Sequence, residues 1–84
     1  MKIADAALVV MREQGEDHCW YGFPDLIADI YERSGGSQDV HPLNRSAAVM
    51  GALARSPLFR KMGYIRHLGR RYPVYEIARQ EIES

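Results

Sequence analysis

Asp17, His18 and Cys19 stand side by side: a carboxylate, a base and a thiol, the residue types of nucleophilic catalysis. Their spacing argues against that use. Consecutive residues of an extended segment point to opposite faces. A thiol and an imidazole must meet within hydrogen-bond reach, with a third group orienting the base. No third group is evident, so Cys19 is expected as a small buried residue and no catalytic residue is assigned. His41 and His67 lie far from His18 and from each other, at spacings that form no zinc motif. No glycine-rich phosphate loop occurs. The reading is of a non-enzyme that needs neither metal nor cofactor.

The other side chains with recognisable chemistry are cationic. Arg55, Arg60, Lys61, Arg66, Arg70 and Arg71 fall in one stretch, with Arg45 just upstream, and no acidic residue occurs between Leu43 and Tyr75. A planar guanidinium binds phosphate or carboxylate with two hydrogen bonds, so such a stretch suits a polyanion. The formal net charge of 0 hides this. Residues 1–40 carry a net −5 and residues 41–84 a net +5. A contact surface responds to local potential, which the total conceals. The bland alternative is that the two halves pair with each other inside one small fold, although surface pairs contribute little.

At 84 residues there is room for one domain, and a composition 46% hydrophobic and 26% charged suits a globular one. Cys19 is the sole cysteine, so no internal disulfide forms. No apolar run approaches the roughly 20 residues a membrane span needs. Asp5 interrupts the apolar start, which reads as a helix and not as a signal peptide. No membrane partner is expected, and cytoplasm is the default location.

The elements that must position the cations follow from periodicity. Ile3, Ala6, Ala7, Val10 and Met11 make one helical stripe over Ile3 to Gln14, stopped by Gly15. Leu8 and Val9 lie off it and are candidates for a second packing surface. Asp17 to Phe23 is aromatic and poor in helix formers, a short strand or an extended connection. Pro24 opens a second helix, with Leu26, Ile27, Ile30 and Tyr31 inward and Asp25, Asp29, Glu32 and Arg33 outward; Gly35 and Gly36 end it. A loop of about ten residues leads to a third helix, starting near Pro42 or, with Asn44 as cap, near Arg45, and ending at Ser56 before Pro57. Leu43, Ala47, Met50 and Ala54 are expected to face inward, with Leu53 on the margin. Arg45, Ala48, Val49, Ala52, Arg55 and Ser56 are expected outward. Phe59 is a core anchor. Tyr64–Leu68 and Tyr72–Ile77 read as two strands around the turn Gly69-Arg70-Arg71. Pro73 cannot donate to a ladder, which points to a sheet edge. Residues 76–84 read as a polar tail.

Helix, short strand, helix, loop, helix, hairpin is the winged helix-turn-helix order, mainly α with a small β-hairpin and a single domain over residues 1–84. The segments "ADAALVVMREQG", "FPDLIADIYERSG", "NRSAAVMGALARSPLFRKMG" and "YPVYEIA" resemble the HARE-type helix-turn-helix family of winged helices. Ala6, Ala7, Gly15, Ile27, Gly35, Ser56, Phe59, Gly63, Tyr75 and Ile77 occupy its pattern of core and turn residues. The loop before the third helix is longer than a tight helix-turn-helix has, and the hairpin holds more arginine than the pattern requires. The resemblance implies a DNA-associated or transcription-linked protein.

On that layout the third helix would enter a major groove and the hairpin would lie along the backbone or the minor groove of double-stranded DNA. Asn44, Arg45, Ala48, Val49, Ala52 and Arg55 would face the bases: Arg45 toward a guanine edge, Asn44 toward adenine, Ala48 or Val49 toward a thymine methyl. Arg60, Lys61, Arg66, Arg70 and Arg71 would neutralise phosphates, and protonated His67 could donate. Tyr64, Tyr72 and Tyr75 are expected as core or sheet covering. The rival reading is a protein-interaction module, docking a partner through the first two helices or the small-residue face of the third. A homodimer would use Leu8, Val9 and the tail.

Overall fold

The computed structural model describes residues 1–78. Three helices, α1 (Ile3–Gln14), α2 (Pro24–Arg33) and α3 (Pro42–Arg55), accompany three strands, β1 (His18–Cys19), β2 (Phe59–His67) and β3 (Arg70–Ile77). The strands form one antiparallel sheet in the order β1-β3-β2. The third strand and the length of β2 make the chain mixed α and β, where the sequence suggested helices with a small hairpin.

α1 and α2 form as their stripes predict. Ala6, Ala7, Val10 and Met11 of α1 and Leu26, Ile27 and Ile30 of α2 are buried. α1 closes at Gly15, where the Gly15 and Glu16 amides donate to the carbonyls of Arg12 and Met11. Arg33 forks onto both Glu13 carboxylate oxygens at 2.9 and 3.2 Å, and Gln14 donates to Asp29 at 2.9 Å, tying α1 to α2 across their exposed sides. Such exposed contacts contribute little, because water screens them and ordering the side chains costs entropy. The joint core outweighs them: burying a Leu or Ile side chain contributes about 1.5–3 kcal/mol each.

α3 starts at Pro42, with the His41 ring nitrogen Nδ1 accepting from the Leu43 amide at 3.1 Å. Its phase corrects the sequence reading. Val49, Met50 and Leu53 are buried, while Leu43, Ala47 and Ala54 are exposed. Turning the Val49–Leu53 side inward buries more carbon than an alanine stripe can, and area decides the orientation. Truncating Leu53, which has no exposed surface, would cost about 2–5 kcal/mol.

The sheet closes the open side of the helices. Cys19, Phe59 and Tyr75 share one sheet face and belong to the same core as the helical residues. β3 is the middle strand, although Pro73 suggested an edge. The ladder reconciles the two: β1 pairs with β3 only at Tyr75 and Glu76, so Pro73 lies beyond its end. Alternation from the closing pair His67–Arg70 puts Pro73 at a position that exchanges no hydrogen bonds with β2 either. Glu76 and Ile77 belong to β3, so the expected tail shortens, and its remaining residues 79–84 lie outside the described ones.

The turn is Leu68-Gly69, with φ of +51° and +79°. Two positive φ values are the mark of the primed two-residue turns, whose twist matches that of the strands. Arg70 and Arg71 therefore belong to β3, on opposite faces, and do not form the turn. Further down, Met62 is an extra residue between the pairs Lys61–Tyr75 and Gly63–Val74. Gly63 carries this bulge at φ +154°, a conformation that side chains rarely adopt.

Candidate nucleic-acid interface

The bulge decides which cations share a face. Along an uninterrupted strand Phe59, Lys61, Gly63 and Ile65 would point one way. With Met62 inserted, Phe59 and Lys61 share their side with Tyr64 and Arg66, because their partners Ile77, Tyr75, Pro73 and Arg71 alternate regularly along β3. This is the helix-facing side of the sheet, continued past the helices into solvent.

There Lys61 and Arg71 meet the Tyr64 ring, and Arg66 lies on the same face. The Lys61 ammonium donates to the Tyr64 hydroxyl at 2.8 Å and sits 4.9 Å from its ring centre. The Arg71 guanidinium lies 4.5 Å from the same ring. Arg66 stands directly opposite Arg71. The hydrogen bond from Lys61 is the first cause of a Tyr64 phenol pKa below its ordinary value, and it raises that of Lys61. Lys61, Arg66, Arg70 and Arg71 have no carboxylate partner among the described residues. Like charges directly opposite in a ladder destabilise it, and the ring quadrupole of Tyr64 offsets part of that.

The opposite face of the hairpin is aromatic. Tyr72, opposite Ile65, shares it with His67 and Arg70. The Trp20 ring meets His67 and Tyr72, each at 6.0 Å between centres, and Tyr21 meets Tyr72 at 5.4 Å. These rings brace the distal half of the hairpin from the side away from the helices.

The remaining expected contacts separate. Arg60 is ion-paired with Glu76 and is not available to a phosphate without breaking that pair. Val49 is fully buried and faces the core, so its assignment to a base contact is withdrawn. Ala48 and Ala52 are half-buried at the margins of α3. Arg45 is half-buried and lines a depression with Tyr31, Glu32 and Gln38, turned toward α2. The solvent side of α3 is instead Leu43, Asn44, Ala47, Ala54 and Arg55. Asn44 and Arg55 remain as polar groups there, and a side chain at Gly51 would come within 3.3 Å of the Arg55 guanidinium. The seven cations are therefore not one patch: Lys61, Arg66 and Arg71 share the face of Tyr64, Arg70 lies across the hairpin, and Arg45, Arg55 and Arg60 go elsewhere.

Two site features escaped the sequence reading. Tyr64 is 49% exposed where a covering role was expected, and Leu68 is 88% exposed at the hairpin tip. Glycine at position 63 was the available signal for the first, since a bulge there swaps the faces. Of the expected dimer contacts, Leu8 packs partly on the core and Val9 is half-buried. Cys19 is buried, and burial pushes its thiol up to about 12, with the charge of Glu16 adding to the effect. His18 instead pairs its ring with Asp17 at 2.9 Å on the surface. Among the described residues no helix is long and apolar enough to cross a membrane.

No protein family, no curated protein and no solved structure matches this chain.

Proposed function

We propose that the chain is a small DNA-binding protein of the winged helix-turn-helix class, acting as a transcriptional regulator, with the β2–β3 hairpin as its main contact to duplex DNA. The element order, with a short strand between the first two helices and a terminal hairpin, is the order of that class. The single observation that carries the reading is the group Lys61, Arg66 and Arg71 on the face of Tyr64, without a carboxylate partner among the described residues. A hairpin that places two arginines directly opposite each other gives up stability, and a phosphate between them would restore it. α3 offers Asn44 and Arg55 to a groove, and its small residues Ala47, Gly51 and Ala54 let a surface approach closely.

A fluorescence-anisotropy titration of a labelled random duplex at low salt tests the proposal. Binding that weakens steeply with salt is expected, and no binding at low salt refutes it.

A second reading draws on the other end of the molecule. Glu13, Gln14, Asp29, Glu32 and Arg33 surround Val10 in a depression between α1 and α2; Arg33 is held by Glu13, which leaves Asp29 and Glu32 to face a basic protein partner. Loss of a partner from a Glu13→Lys/Asp29→Lys variant that still binds duplex would support it.

A further inference from the structure

Leu68 occupies the one place in the hairpin where leucine is a poor choice twice over. It is 88% exposed, and it takes a φ of +51°, which favours glycine or asparagine. Neither property helps the fold. Around it the charges are arranged on two sides. Arg66 and Arg71 point to one face of the ribbon, and Arg70 with His67 to the other. The end of the hairpin is thus an apolar tip with cations on both flanks. A ribbon lying flat on one phosphate strand would use one flank only. A tip entering a groove meets a phosphate strand on each side and base edges in front.

We propose that Leu68 is a wedge that enters the minor groove of duplex DNA and partly unstacks a base step, bending the helix while Arg66, Arg70 and Arg71 hold the flanking phosphates. The inference rests on the duplex reading above and adds to it a mode of binding. Inserted apolar side chains of this kind kink DNA by roughly 20–90°. The steps that open most readily are pyrimidine–purine steps, TA above all. The protein would therefore prefer sites that bend, without hydrogen-bonding their bases.

The test compares the intact chain with Leu68→Asn and Leu68→Met. Asparagine suits the turn better than leucine does, so this variant folds; methionine keeps an apolar wedge. Two duplexes are used, one with a central TA step flanked by 2-aminopurine and one with GC steps only, each carrying a donor and an acceptor at its ends. The intact chain and Leu68→Met are expected to bring the ends closer, to raise 2-aminopurine fluorescence, and to prefer the TA duplex on the order of tenfold. Leu68→Asn is expected to bind with no end-to-end change and no preference. A duplex that stays straight under the intact chain, or bends equally under Leu68→Asn, overturns the wedge while leaving duplex binding intact. Failure of the intact chain to bind either duplex at low salt removes the duplex reading itself.

Discussion

Replacing Arg66 and Arg71 together by alanine separates a binding role from a structural one. In the fold their loss has two opposed effects. The directly opposed guanidinium pair disappears, which stabilises the hairpin by about 0.2–1 kcal/mol. The contact of Arg71 with the Tyr64 ring at 4.5 Å is lost, which costs a similarly small amount at an exposed site. The two nearly cancel, and a domain of this size should shift its melting temperature by less than about 4 °C. Binding has no such compensation. Lys61, Arg66, Arg70 and Arg71 can each neutralise one phosphate, since Arg60 is held by Glu76. The logarithm of affinity should then fall against that of salt with a slope of about −3.6, or about 150-fold between roughly 50 and 200 mM salt. The double variant should show a slope of about −1.8 and lose only about 12-fold over the same range. Anisotropy titrations at several salt concentrations, beside thermal melts of both proteins, read these quantities. An unchanged slope would mean that the two arginines do not meet phosphate. A large fall in melting temperature would mean that they serve the fold.

Gly63→Ala should destabilise the domain by about 1–3 kcal/mol through backbone strain alone, because open space surrounds the added methyl group; chemical denaturation measures it. The Cys19 thiol should resist a thiol reagent at pH 8 in the native protein and react at once in denaturant, since burial holds it in the neutral form. The Glu13 carboxyl is held below the usual glutamate range, first by the hydrogen bond from Arg33. Its stabilising effect is therefore full at neutral pH and lost as pH falls through the depressed folded value. The melting-temperature gap between the intact chain and Glu13→Gln should close on acidification through that value, and a gap that widens contradicts the assignment.

The helices were legible in the sequence where apolar residues are large and regularly spaced. The α1 and α2 stripes needed no further information, and the glycine and proline punctuation placed their ends. α3 was misphased because its apolar residues are distributed almost evenly around the axis. Leu43 and Met50 fit one stripe and Val49 and Leu53 another, and only the neighbouring helices decide between them. The strand β1 was anticipated from the aromatic composition of Asp17 to Phe23 as a short strand or an extended connection; its two-residue length is set by pairing with β3, which composition does not encode. In the hairpin the reading began the first strand at Tyr64, where β2 starts at Phe59, and put Arg70 and Arg71 in the turn, where they belong to β3. Met62 inserts into β2, and from that point every side chain changes faces. The composition of the site was readable as a run of arginines; its division between two faces was not.

That division bears on how a neutral chain can favour a polyanion at all. With a net charge of 0 and a Debye length of about 10 Å at 0.1 M salt, the molecule exerts no long-range pull toward DNA. Its charges act only at contact, and there they act by sign. Glu13, Asp25, Asp29 and Glu32 cover the exposed sides of α1 and α2, so an approach from that side is repelled over the last few ångströms. The outer part of the hairpin, beyond the Arg60–Glu76 pair, is where several cations meet without a carboxylate partner among the described residues. Segregated charge therefore selects an orientation at contact. Under the proposed duplex reading, affinity comes from counterion release at a few phosphates and from burial of the apolar tip. With so few phosphates in reach, the proposed insertion of Leu68 is what would separate a site-selective complex from a loose electrostatic one.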